Sequence, residues 1–327
     1  MNLKSKYKML HINFLLILFL SIFACKKEEK KKEHICNDVF ALNYTAESNT
    51  ELGCLYQNYF RQPVLISDLA NNVKETSGLA TLGEYLLTHN DKGNSNDLFL
   101  LNKSNGNLIK KIEVINAVNN DWEDLAQNED YIFIGDMGNN DGDRQDLGIY
   151  KIAKADFDNG NANSVEIIEK IEFYYPEQSN FESNKDHNFD CEAIVYHNNH
   201  LYLFTKHRAD KRTNLYKIKA SATGGKQKAQ LINSFEVGGK ITGADISDDG
   251  KKIVLLGYVK KADCFLWVLE DFINDNFLSG KKTKFTLGAY KVLGQTEGIV
   301  FNSENSVLIS SEKKKEIPPR LYMVENI

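Results

Sequence analysis

Long apolar runs are missing from this 327-residue sequence, and so are most of the motifs that announce a chemistry. The longest hydrophobic stretch, Ile12 to Ala24, falls short of the roughly 20 residues that a membrane-spanning helix needs. Proline occurs four times and tryptophan twice, and no segment keeps helical periodicity for long. That excludes a helical array. Histidine and cysteine do not cluster, which leaves zinc without a site. There is no P-loop, dinucleotide-binding glycine fingerprint or Ser-His-Asp pattern. A net charge of −5 and a pI near 5.9 argue against a nucleic-acid partner. The local Lys313-Lys314-Lys315 run reads as a solvated loop.

What is present is a recurring stretch. Trp122-Glu123-Asp124-Leu125 has degenerate copies at Thr76-Ser77-Gly78-Leu79, Cys191-Glu192-Ala193-Ile194, Ile241-Thr242-Gly243-Ala244 and Thr296-Glu297-Gly298-Ile299. Each copy places an oxygen-bearing side chain, usually a very small residue, then an apolar one. The intervals are 46, 69, 50 and 55 residues, and repeats of this size made of short strands indicate propeller blades. The expectation is an all-β fold, a five-bladed β-propeller over residues 61–327. Each motif opens an inner strand, with Asn198-Asn199 and Asp248-Asp249-Gly250 at hairpin turns. The outer strand of blade two is expected at Ser164 to Tyr174 and that of blade three at Leu231 to Val237. Blade five has only three strands before the chain ends, so Pro63 to Asp68 should supply its fourth and close the ring.

This topology brings the starts of the inner strands to one face, together with the loops His89 to Asp97, Gly135 to Asp146, Lys206 to Arg212, Tyr258 to Asp263 and Ser310 to Pro319. Ser77, Glu123, Glu192, Thr242 and Glu297 should then point toward the axis. Three converging carboxylates repel unless a cation or protons compensate them. A hard divalent ion suits such a set, and Ca²⁺ accepts six to eight oxygens. The alternative is that the glutamates accept hydrogen bonds from inner-strand amides. Trp267 is expected in the core and Trp122 between blades two and one. His89, His187 and His207 lie in or near the mouth loops, where acid–base work and simple exposure are both open.

The N-terminal region reads separately. Lys4, Lys6 and Lys8 precede the short apolar run, the pattern of an export signal. Its ending, Ile22-Phe23-Ala24-Cys25, resembles a bacterial lipoprotein box, which implies a signal peptide over 1–24, lipidation of Cys25 and anchorage to the cell envelope, the outer membrane being the expected one; an uncleaved N-terminal anchor is the other reading. Residues 25–35 carry almost only charge and form a tether. Cys36-Asn37-Asp38, Asn43-Tyr44 and Cys54-Leu55-Tyr56 resemble a small cysteine-framed module of secreted bacterial proteins, 36–56. That resemblance pairs Cys36 with Cys54 across a loop of about 19 residues, worth roughly 3 kcal/mol in the chain-entropy estimate. Cys191 and Cys264 remain as buried thiols.

The order Ser, Glu, Glu, Thr, Glu at blade-sized intervals is similar to the calcium-activated nucleotidases, or apyrases, whose resemblance implies a central Ca²⁺ on that ring. Thr88-His89-Asn90-Asp91-Lys92-Gly93-Asn94, Asp121 to Ala126, and Gly135-Asp136-Met137-Gly138-Asn139-Asn140 with Arg144 resemble a group of secreted bacterial propellers of little-characterised function. The nucleotidase Asp-Asp-Arg-Thr-Gly loop matches at best Asn90 to Asn94, with lysine in place of the arginine that would grip phosphate bidentately. Two functions follow. The first is an envelope binding module whose mouth takes a glycan, peptide, protein or phosphate compound. The second is a calcium-dependent phosphoester or phosphoanhydride hydrolase, with Asp91 or Asp136 as base and Lys92, Arg144, Lys206 and Arg208 on the phosphate.

Overall fold

A computed structural model describes residues 34–44, 49–50 and 53–327. The expected signal segment 1–24, Cys25 and the tether as far as residue 33 lie outside the described residues.

Five antiparallel meanders form a ring, a five-bladed β-propeller. Blade one comprises Thr76–Leu82, Tyr85–Asn90, Asp97–Asn102 and Leu108–Ile115. Blade two runs through Trp122–Gln127, Tyr131–Asp136, Gly148–Ala153 and Glu169–Tyr174. In blade three the strands are Cys191–His197, His200–Thr205, Thr213–Lys219 and Gln230–Phe235. Blade four has Lys240–Ile246, Ile253–Tyr258, Asp263–Glu270 and Lys281–Ala289. Blade five has Gln295–Ser303, Ser306–Glu312 and Arg320–Glu325, completed by Val64–Asp68 from the N-terminal side. The pairing of Arg320 with Asp68 through Met323 with Val64 is the closure that the incomplete fifth blade calls for.

Burial explains why the second strands read as continuous apolar runs. Ile253–Tyr258 is buried at every position because neighbouring blades cover both of its faces. Leu108–Ile115, at a rim, mixes exposed and buried positions instead. Asn198 and Asn199 both take left-handed conformations, φ 46° and 59°, as a two-residue hairpin requires. Trp122 is fully buried against His89 of blade one and Tyr150, and Trp267 lies in the core between blades three and four.

Three blades gain a fifth strand that the sequence reading does not contain. Ser164–Glu166 runs parallel to the rim of blade one, Gln227–Lys228 to that of blade two, and Gln57–Phe60 to that of blade four. In every case the chain next enters the following blade as its outer strand. The expected single strand from Ser164 to Tyr174 is therefore split at Ile167 and Ile168, and blade three ends on Gln230–Phe235 instead of Leu231 to Val237. Gln57–Phe60 carries the sheet beyond the expected start at residue 61. The physical gain is the same each time, since a rim strand left unpaired exposes a row of N–H and C=O groups.

Cys36 and Cys54 form a disulfide. The module they frame is docked on blades three and four. The Tyr56 ring meets Phe235 and Trp267 edge-on, and its hydroxyl donates to Asp38 Oδ2 at 2.7 Å. The same Asp38 oxygen accepts from the buried Lys282 ammonium at 2.5 Å. Cys191 and Cys264 are unbridged and buried.

Candidate metal centre

Each motif position sits at a bulge, where the inner strand shifts register against the second strand of its blade. A polar residue stands two positions before each of them. The pairs are Glu75 and Ser77, Asp121 and Glu123, Asp190 and Glu192, Lys240 and Thr242, and Gln295 and Glu297. In blades two and three both members are carboxylates, and there the acids converge. Oxygens of Asp91, Asp121 and Glu123 lie within 4.8 Å of one another, as do those of Glu123, Asp190 and Glu192. Glu123 belongs to both groups. Asp91, one residue past the end of the second strand of blade one, joins them through its loop.

The two groups differ in what compensates them. In the second, Lys206 Nζ contacts Glu192 Oε2 with both side chains buried, and Arg208 Nε donates to Asp190 Oδ2 at 2.7 Å. In the first, the one direct ion pair among the described residues is with Lys92, half-exposed, at 3.3 Å from Asp121 Oδ2. Glu123 Oε1 and Asp121 Oδ1 are buried and have no hydrogen-bond partner among the described residues. Burial, then the charges of Glu192, Asp91, Asp121 and Asp190, push the Glu123 carboxyl well above the ordinary range. Burial and then Asp91 push Asp121 up to about 6. Gly138 makes this closeness attainable, because a Cβ there would collide with Glu123 Oε1 and the Asp121 carboxyl carbon.

The remaining expected ring members take other partners. Ser77 Oγ donates to the Glu123 carbonyl at 2.5 Å and Thr242 Oγ1 to the Thr296 carbonyl at 2.7 Å. These hydroxyls tie blade one to two and blade four to five. Glu297 accepts from Gln295 Nε2 at 2.5 Å and lies outside both acidic groups. The expected five-member ring is thus brought together only at Glu123 and Glu192, joined by Asp91, Asp121 and Asp190. The two missed aspartates have a visible signal, Asp-x-Glu in consecutive blades.

Inner-strand amides do meet a carboxylate, one position along from the expected one. Asp124 Oδ2 accepts from the amides of Ile194 at 2.9 Å and Ala244 at 3.2 Å, linking blade two to blades three and four. Asp245 does the same toward Phe301 of blade five, at 2.7 Å.

The basic residues expected on phosphate are already engaged. Arg144 binds Asp136 at 3.3 Å, Asp146 at 3.0 Å and the Gly138 carbonyl at 2.8 Å. Arg208 also contacts Asn140, and Lys206 is the internal counter-ion of Glu192. Asp136 is fully buried, its Oδ1 accepting from the Asp121 amide at 2.9 Å, so it sets the position of the acidic strand start. Asp91 is only half-buried and remains at the opening. His89 is fully buried with burial holding its pKa down at about 4, a neutral core group. His207 pairs with Asp210 at 2.7 Å.

No family model and no curated protein matches the sequence. Among solved structures, the chain is similar to one in the mitotic checkpoint complex, with 10% identity, TM-score 0.39, and 99% of this chain and 98% of that one covered. A chain of Kuenenia stuttgartiensis hydrazine synthase aligns at 12% identity and TM-score 0.35, over 73% of this chain and 64% of that one.

Proposed function

We propose that the mouth holds a divalent cation between Asp91, Asp121 and Glu123, and that the protein is a cell-envelope binding module, lipid-anchored through Cys25, whose ligand meets that cation. One observation carries the reading: two buried carboxylate oxygens, Glu123 Oε1 and Asp121 Oδ1, have no hydrogen-bond partner among the described residues, inside an acidic group whose one direct ion pair there is with the half-exposed Lys92. Burying an uncompensated carboxylate costs several kcal/mol, so protons or an ion must enter. An all-oxygen set is hard-ligand chemistry, and Ca²⁺ tolerates a set of carboxylates from separate loops and strands better than Mg²⁺, which demands near-octahedral order. Such an ion would orient a ligand and polarise its oxygen atoms. Relative to the expected axial ring, the site lies toward blades one and two, because Lys206 and Arg208 already neutralise the blade-three side.

The hydrolase reading ranks second. Arg144, Lys206 and Arg208 are held by protein carboxylates, and Asp136 is sealed from solvent, which leaves Asp91 and Lys92 as the reachable part of the expected machinery. Calcium titration of chelator-treated protein, followed by calorimetry and melting temperature, tests the site. The expected outcome is saturable binding that Glu123→Gln removes. No heat, no thermal shift and no metal by elemental analysis would sink it. Calcium-dependent phosphate release from nucleotides, lost in Asp91→Asn, would put the hydrolase first.

A further inference from the structure

The mouth also holds one cation without a direct partner among the described residues. Lys92, Arg144, Lys206 and Arg208 each pair with a carboxylate, whereas Lys240 makes no hydrogen bond or ion pair through its ammonium among the described residues. It is half-buried at the start of the inner strand of blade four, the position that Asp121 and Asp190 occupy in blades two and three. Its register partner is Tyr258, whose ring centre lies 5.8 Å from Lys206 Nζ. Lys206 in turn contacts Glu192, one of the acids grouped with Glu123. Lys240 and the acidic group therefore line one opening. Burial, then the Lys206 and Arg208 charges, depress the Lys240 pKa, while the nearby Glu192 and Asp190 charges act the other way.

We infer that Lys240 is an anion-binding residue, and that the ligand of the mouth is a small oxyanion, phosphoryl or carboxylate, which coordinates the cation at Asp91, Asp121 and Glu123 and meets Lys240 at the start of blade four. A half-buried ammonium with no direct partner keeps its donors free for the charge-assisted hydrogen bonds that an acidic ligand makes. A metal-bound ligand bearing an acidic group supplies that sign. The inference rests on the proposed cation site for the ligand's other end, and the test separates the two.

Binding of inorganic phosphate and of malonate to the purified protein is measured by calorimetry, with and without saturating calcium, for the unsubstituted protein, Lys240→Gln, Lys240→Arg and Lys251→Gln. Lys251 is an exposed lysine on a distant hairpin turn and controls for net charge. At least one anion should bind the calcium-loaded protein, and Lys240→Gln should weaken it by about tenfold or more, the scale of one charge-assisted hydrogen bond. Calcium affinity should stay unchanged, and Lys240→Arg should retain most anion binding. Binding of phosphate alone would mark a phosphoryl ligand, and of malonate alone a carboxylate ligand. Should the glutamine variant not fold, protection of Lys240 from amine acylation by the bound anion, read by mass spectrometry, tests the same contact. Calcium binding without anion binding, or anion binding indifferent to Lys240, overturns the inference while leaving the cation site intact. Lys240-dependent anion binding in protein that binds no calcium would leave Lys240 assigned and remove the cation reading.

Discussion

Neighbouring residues in one strand, Glu123 and Asp124, carry buried carboxylates with opposite consequences. Asp124 is surrounded by donors, with the amides of Leu125, Ile194 and Ala244 at 2.8, 2.9 and 3.2 Å. Replacing it with alanine leaves the amides of two other blades without a partner, and at about 1–3 kcal/mol for each the loss should reach about 2–6 kcal/mol. Glu123 has no donor on its buried Oε1 among the described residues and several acids beside it. Glu123→Gln in metal-free protein should therefore be neutral or stabilising, since it removes a buried group that cannot ionise cheaply. Denaturant unfolding of both variants in chelator is the check, and an equal loss in the two would refute this division of roles. Sequence alone does not distinguish them. Both are acids at the head of an inner strand, and only the cross-blade register shows which meets amides and which meets other carboxylates.

At the scale of elements, the N-terminal segment does two tasks that the disulfide module does not. Gln57–Phe60 covers the rim of blade four and Val64–Asp68 completes blade five, whereas the module is attached through Tyr56 and the Asp38–Lys282 pair. Reducing Cys36–Cys54 should release up to about 3 kcal/mol of loop constraint, all of it outside the ring. Hydrogen exchange should then rise over residues 34–44 and 53–55 and stay unchanged over 57–68. Faster exchange in Val64–Asp68 on reduction would show that the disulfide supports closure. The blades themselves were legible because each inner strand repeats an oxygen-bearing residue, usually a small one, and an apolar one, and because the fifth blade was visibly one strand short. The rim strands were not legible. Ser164–Glu166 and Gln227–Lys228 are too short to carry a period, and their partners belong to the preceding blade. The site was half legible. Aligning the motifs on the Glu123 column found Glu192 but passed over Asp121 and Asp190 two residues earlier, and the pairing of Lys206 with Glu192 depends on where the second strand of blade three ends.

For the molecule as a whole, closing five blades gathers more acid at one mouth than its internal cations balance, and this sets a pH dependence. Glu297 is pushed from its ordinary 4.5 up to about 8 by burial, against the favourable Lys206 charge. Glu312, opposite Gln295 in blade five, is pushed up to about 8 by burial and then by Asp91. Between the ordinary value and the raised one, the folded state binds protons that the unfolded chain has released. Stability therefore falls as pH rises through that window, and the contribution is fully present only below it. Asp121, raised to about 6, acts in the same direction over a lower window. In chelator, the melting temperature should decline from about pH 6.5 to about pH 9, while below about pH 6.5 the buried neutral His89 works against the decline. A bound divalent ion reverses the balance, because it favours the ionised carboxylates and displaces their protons. The stabilisation by calcium should accordingly grow with pH and flatten the decline, with proton release on binding near neutral pH. Melting curves at several pH values, with and without calcium, measure both trends. A metal-free protein whose stability rises from about pH 6.5 to about pH 9 would mean that the mouth acids ionise at their ordinary values, and the electrostatic case for a cation there would fail with it.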